Sequence, residues 1–358
     1  MSAPSSNDKQ TTTRGARMID VARLAGVSQQ TVSRVVNGSP NVAPDVRERV
    51  ETAIQQLRYR RNPAARALAN GRTMNIGIVS FGLAQYGPSV ALSGIADEAR
   101  SAGYATNLVT LGDVDRAAMK AALEHLVEDS VDGIVVLAPV QAALEAISGL
   151  DAGVPLVFFE PGAEEGTRSV ATDEVAGAEL ATRHLLDLGH ETVWQVAGPD
   201  GWLGSDARIR GWSRTLAEAG RVTNRVISGD WSTRSGYAAG QEIAQNAAIT
   251  AVFVANDQMA LGVVKALADA GIRVPEDVSV VGFDDVPESQ YYQPALTTVR
   301  LDFEEVGRLA VDRILDLMRG GQAGPLPRVS PALIVRQSTA PPSRSPVNHR
   351  TPERKRSA

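Results

Sequence analysis

Two textures of apolar and polar positions divide the chain. From Met18 to Leu57 apolar residues recur three and four apart. Ile19, Val21, Ala22, Leu24 and Ala25 fit one helical face, and Gly26 ends that segment. Val32, Val35 and Val36 give the inward side of a second segment, Gln29 to Asn37, which Ser28 is placed to cap. Pro44 suits the first turn of a third, where Val46, Val50, Ala53, Ile54 and Leu57 close a three-helix core. A fourth helix of about two turns is predicted between the cap Asn62, Pro63 and the stop Gly71, and a helix that short is marginal in water without a partner.

From Asn75 the period changes. Short apolar runs (NIGIVSF, YATNLVT, DGIVVLAP, VPLVFF) alternate with amphipathic segments near 89–102 and 117–128. The alternation restarts after Thr172: helices near 176–188, 207–219, 235–245 and 259–270 fall among the runs TVWQVAG, AVFVAN and VSVVGFDD. An α/β body of two successive open parallel sheets is implied. Ligands collect beyond the carboxyl ends of such strands, and Glu160, Asn256, Asp257, Asp284 and Asp285 stand there.

Composition sharpens the division. The 358 residues include no cysteine and four histidines, which removes disulfides, thiol nucleophiles and Cys-ligated zinc and leaves little for a metal cluster. The polar opening MSAPSSNDKQTTTRGAR lacks the apolar core of a signal peptide, and no apolar run reaches the ~18 residues of a membrane span, so a reducing cytoplasm is expected. The net charge of −5 conceals an uneven spread: residues 1–73 hold 12 Lys/Arg against 5 Asp/Glu, residues 74–341 hold 19 against 35, and residues 342–358 hold 5 against 1. A basic head before an acidic body fits a nucleic-acid-binding module joined to a domain that avoids nucleic acid; on charge alone a solvated arginine-rich face fits equally.

Enzyme signatures are missing. The chain has no G-x-G-x-x-G, no phosphate-binding loop, no G-x-S-x-G and no histidine pair at metal spacing; GPDGWLG (198–204) is glycine-rich without the phosphate pattern, and His190 after Gly189 suits a helix C-terminus. No catalytic residue, metal or cofactor is expected. Two helices joined by a three-residue glycine turn can instead place the second in the major groove, led by Gln29, Gln30, Thr31, Ser33 and Arg34; Gln suits adenine and Arg guanine. Taken by itself, the motif also fits an ordinary helical hairpin.

The stretch AGVSQQTVSRVVNGSPNV, the third helix through Tyr59 and the segment NPAARALANGRT together resemble, in order and spacing, the DNA-binding part of the LacI/GalR family of transcriptional regulators. The resemblance implies that Gln29 and Gln30 read bases and that Ser28, Thr31, Ser33, Arg34, Asn37, Tyr59, Asn62 and Ala65 make further DNA contacts. Leu68 would be the wedge that paired hinge helices insert at a central base step. Ala43 departs from the family's Ser or Thr cap, a loss of ~1 kcal/mol.

The body resembles the family's effector domain, itself similar to periplasmic sugar-binding proteins, and is nearest the lactose-repressor branch through GDWSTRSGY, FVANDQMALG, SVVGFDD and ALTTVRLDF. The resemblance assigns Arg208, Asn256 and Asp284 to ligand hydroxyls, Trp231 to a sugar face, and Pro88 and Phe303 to an apolar wall. Leu137, Glu160 and Gln85 depart from that branch at the same cleft, which points to a different or differently substituted sugar. Read from the residues alone, Asn256 fits a helix cap, Asp284 a turn and Trp231 a packed aromatic equally well.

The expected organisation is a disordered tail (1–17), a helix-turn-helix domain (18–61), a hinge helix and linker (62–73), and a ligand-binding and dimerisation domain (74–340). Its N-subdomain would comprise 74–172 and 301–327 and its C-subdomain 173–300 and 328–340, followed by a disordered basic tail (341–358). That tail contains no leucine, whereas the lactose-repressor branch ends in a leucine heptad helix, so a homodimer on a near-palindromic operator is expected. The expected function is a cytoplasmic, nucleoid-associated repressor released from double-stranded operator DNA by a small sugar, a galactoside or related glycoside. The alternatives are a co-repressor-type regulator with a non-sugar effector and a soluble sugar-binding protein.

Overall fold

The computed structural model describes residues 16–36, 38–59, 71–162, 168–223, 226–321, 324–325 and 328–343. Asn37, Asn62, Ala65, Leu68 and the expected hinge helix lie outside the described residues, as do 1–15 and 344–358 of the two expected tails. The chain divides into two compact units, Met1–Thr73 and Met74–Ala358.

The first unit is built from α1 (Met18–Ala25), α2 (Gln29–Val36) and α3 (Pro44–Gln56). Gly26 ends α1 with φ +67°, a left-handed conformation that costs glycine little. Ser28 caps α2 as expected: its Oγ accepts the Thr31 amide at 3.1 Å. Val21, Ala22, Ala25, Val32, Val35, Val50 and Ala53 form the core, with Ile54, Leu57 and Tyr59 packed at its margin. The expected face of α1 needs correction, because Ile19 and Leu24 are 45% and 51% exposed. On an eight-residue helix the stripe through Met18, Val21, Ala22 and Ala25 already faces the core, which turns Ile19 and Leu24 outward.

In the second unit a five-stranded parallel sheet has the order β2-β1-β3-β4-β5, with β1 Asn75–Ser80, β2 Ala105–Thr110, β3 Gly133–Leu137, β4 Leu156–Phe159 and β5 Ser169–Val170. Alternate residues face opposite layers. Ile76, Ile78, Val135 and Leu137 pack with α4 (Tyr86–Ser101) and α11 (Phe303–Met318), while Val79, Ile134 and Val136 pack with α5 (Arg116–Glu128) and α6 (Gln141–Ile147). The second sheet adds β6 Trp194–Ala197, β7 Ile227–Ser228, β8 Ala251–Val254, β9 Ser279–Asp284, β10 Thr297–Arg300 and β11 Ala332–Ile334, in the order β11-β10-β9-β8-β6-β7. Ala251, Phe253, Val281 and Phe283 face α7 (Glu174–Asp187) and α8 (Leu203–Glu218); Val252, Val254 and Val280 face α9 (Thr233–Ala244) and α10 (Asp257–Asp269).

This sheet is not wholly parallel, since β11 pairs antiparallel with β10 and closes one edge. α11 follows β10 yet packs on α4 and the first sheet, so the chain passes between the two layers after β5, after β10 and again before β11. Those crossings bring the carboxyl ends of both sets of parallel strands to one cleft. β5, α6, β7, β10, α11, β11 and a 3₁₀ turn over Pro287–Tyr291 go beyond the elements expected from the pattern.

Candidate functional site

The cleft holds a cavity whose lining comes from segments at strand ends: Gln85 to Pro88 after β1, Pro139 after β3, Phe159 and Pro161 at the end of β4, Asn256 after β8 and Asp284 at the end of β9. Glu174 from α7, Trp202, Gly204 and Arg208 at the start of α8, Trp231 before α9 and Phe303 from α11 complete it. Aromatic rings dominate the walls. Trp202 lies edge-on to Trp231 with centroids 5.8 Å apart and sits 5.8 Å from Phe81, and Tyr86 meets Phe303 edge-on at 6.2 Å. Glycine makes these seats possible: a Cβ on Gly198 would stand 2.2 Å from the Trp231 ring, and one on Gly82 would stand 2.5 Å from Trp202.

The polar floor centres on Arg208. Its Nε donates to Glu174 Oε2 at 2.7 Å, Nη2 donates to Asp284 Oδ1 at 3.2 Å, and Nη1 donates to the Ala255 carbonyl. Its guanidinium lies 3.8 Å over Phe283 and 5.6 Å from the Trp231 centroid. Burial, which the Arg208 charge opposes and the Glu174 charge reinforces, pushes the Asp284 carboxyl up to about 7. Asn256 caps α10 through Oδ1, which accepts the Met259 amide at 2.9 Å, and its Nδ2 donates to the Trp231 carbonyl at 3.1 Å. The capping role open at Asn256 is therefore filled in a residue that also lines the cavity. Trp231 and Asp284 have φ of +72° and +99°, a strained region for side chains of this size, and such strain concentrates at functional sites. The Trp231 indole N–H is buried and has no partner among the described residues.

Seven of the nine expected cleft residues meet here: Gln85, Pro88, Arg208, Trp231, Asn256, Asp284 and Phe303. Two do not. Leu137 is fully buried between the sheet and its helices, because the cleft opens only beyond the strand end, where Pro139 takes the wall. Glu160 is half-buried outside the lining while Phe159 and Pro161 flank it at the cavity; burial raises its pKa against a hydrogen bond with Ser169. The sequence reading missed Glu174 and Trp202. Trp202 carried a signal, an aromatic residue within GPDGWLG; Glu174 follows its helix cap Asp173 without any motif.

In the first unit, α2 leaves Gln29, Gln30 and Arg34 exposed and Thr31 and Ser33 half-exposed, with Ser28 exposed at its start. Tyr59 packs on the three-helix core. Among the described residues no group of three or more His, Asp or Glu is placed to hold a metal ion.

Residues 17–62 match the lacI family of bacterial regulatory proteins, and residues 182–339 match a periplasmic binding protein-like domain. The lactose operon repressor of Escherichia coli is 35% identical over 332 residues, 91% of each chain. The chain belongs to the LacI family. The HTH-type transcriptional repressor PurR of Haemophilus influenzae is 33% identical across 90% of this chain and 98% of its own. Among solved structures, the Lac repressor dimer bound to operator and the anti-inducer ONPF has a TM-score of 0.81 at 33% identity, covering 91% of this chain and all of that one. The CelR–cellobiose complex has a TM-score of 0.65 at 30% identity, covering 90% and 99%. The pattern-derived fold class stands, and this LacI-family chain has the two parts of a DNA-binding transcriptional repressor whose relatives are not enzymes. No helix among the described residues is long and apolar enough to cross a membrane.

Proposed function

We propose that this LacI-family protein binds a near-palindromic operator as a homodimer in the cytoplasm and is released from it by a small glycoside held in the cleft. The observation that carries the reading is the cleft itself: a guanidinium, two carboxylates and an amide meet aromatic walls at the junction of two α/β layers. A sugar ring offers donors and acceptors around its rim and an apolar face to an indole. A LacI-family relative has been solved with cellobiose, and another, from Enterococcus faecium, with ribose. On the DNA side, Gln29 and Gln30 read bases from the leading end of α2, and Leu68 is the minor-groove wedge.

Titration of labelled DNA from the gene's own upstream region at fixed salt tests the DNA half. Gln30→Ala weakens specific binding about 5- to 150-fold and leaves non-specific binding nearly unchanged, because it removes a base contact and no charge. Equal loss on both DNAs would overturn the assignment. Leu68→Ala damages operator binding while ligand binding in the cleft persists.

A further inference from the structure

With Asp284 ionised, the polar floor of the cleft is one positive charge short. Two carboxylates, Glu174 and Asp284, face a single guanidinium, and side chains of all three are at least nine-tenths buried. Each nitrogen of Arg208 donates once to a protein acceptor, namely Glu174, the Ala255 carbonyl and Asp284. Glu174 Oε1 accepts from the Thr172 hydroxyl at 2.9 Å, while Asp284 holds Arg208 through Oδ1. The other charged and titratable groups around Asp284 do not correct the imbalance. Asp257 on α10 adds a third buried acid, held by the Thr298 hydroxyl and the Val286 amide; Asp285 is consumed by Arg300 and Arg336; Tyr86 is a neutral phenol whose ionisation Asp284 further opposes. The buried indole N–H of Trp231 at the cavity has no partner among the described residues.

An incoming ligand thus meets two buried carboxylates that accept hydrogen bonds and the unpartnered indole N–H of Trp231 that donates one. A hydroxyl answers both, an ammonium meets the missing charge, and a carboxylate or phosphate can only add to the repulsion. Resting on the sugar reading above, we infer that Glu174 is a specificity-determining residue that, with Asp284, restricts the cleft to glycosides without negative charge and favours one bearing an ammonium group in place of a hydroxyl.

The experiment is calorimetric titration of the full chain at pH 7 with methyl glycosides of galactose and glucose, each in neutral, amino and uronate forms. One neutral form binds, its amino counterpart binds at least about tenfold more tightly, and its uronate binds at least about a hundredfold more weakly, since charge pairs in a shielded site amount to more than one decade of affinity. Glu174→Gln, nearly isosteric, reduces the amino-to-neutral ratio about tenfold; Asp284→Asn reduces it in the same direction and serves as the second variant if the first fails to fold. A uronate within about threefold of its neutral parent, or an amino form no tighter than neutral, overturns the charge assignment and leaves the sugar reading intact. Binding by none of the sugars overturns the sugar reading and, with it, this inference.

Discussion

Arg208 has an acceptor at each of its nitrogens and an aromatic ring beneath it, so its removal strands two acids in a buried cleft. Arg208→Met lowers stability by about 3–5 kcal/mol, the cost of breaking a buried ion pair from one side, and urea denaturation measures it. A loss below ~1 kcal/mol would show that the acids find other partners. Asp284 gives a pH signature. Its folded pKa of about 7 lies above the ordinary 3.8, so its contribution is full below pH 3.8 and is lost as pH rises through 7. The stability of the wild type relative to Asp284→Asn accordingly falls between pH 5 and pH 8 in parallel urea titrations, and a flat difference contradicts the account. Asp284 was legible in the sequence because it ends an apolar strand, where polar side chains have few structural reasons to be, whereas Arg208, inside α8, came only from the family resemblance. Glu174 was not legible: its role depends on α7 meeting α8, a tertiary contact that leaves no periodicity.

At the scale of elements, local rules set most boundaries. Gly26, Pro44 and the caps Ser28 and Asn256 mark helix ends where the pattern places them, whereas α8 starts at Leu203, before its expected beginning at 207. β11 escaped notice because a three-residue edge strand with exposed and half-buried positions carries no alternation to read. Its neighbouring segment is fixed by distant groups. His190, expected at a helix end, follows Gly189 after α7, and its Nε2–H donates to the Ala340 carbonyl at 3.0 Å while Nδ1 accepts from the Thr250 hydroxyl at 2.9 Å. Burial holds its pKa below the usual 6.5, so this contribution is present above pH 6.5 and is lost as pH falls below it. His190→Ala costs about 1–3 kcal/mol and increases amide exchange in the Ser338–Ala340 segment; unchanged exchange would exclude a pinning role. Ala43 offers the opposite test. It occupies the N-cap of α3 with no side-chain hydrogen bond, so Ala43→Ser raises the melting stability of the first unit by about 0.5–2 kcal/mol.

For the whole molecule, the proposed function requires a linkage between the cleft and α2. Charge made the two-part organisation legible: a basic first unit and an acidic second one are visible in the sequence before any element is assigned. The return of α11 to the first sheet, within the 301–327 segment that the family resemblance assigned to the N-subdomain, is not written in the local pattern, because crossing between layers depends on which surfaces meet. Under the proposed function that crossing matters, because it gives a ligand held between the layers a way to favour one arrangement of them over another. A ligand shifts operator affinity only to the extent that it prefers one arrangement, with a typical coupling of about 1–3 kcal/mol, or 5- to 150-fold. The direct measurement is fluorescence anisotropy of the full chain on its own upstream DNA at fixed salt, with and without a saturating concentration of the glycoside that titrates the cleft. The account predicts a 5- to 150-fold loss of operator affinity with non-specific affinity unchanged. The same operator affinity with the cleft filled would contradict it.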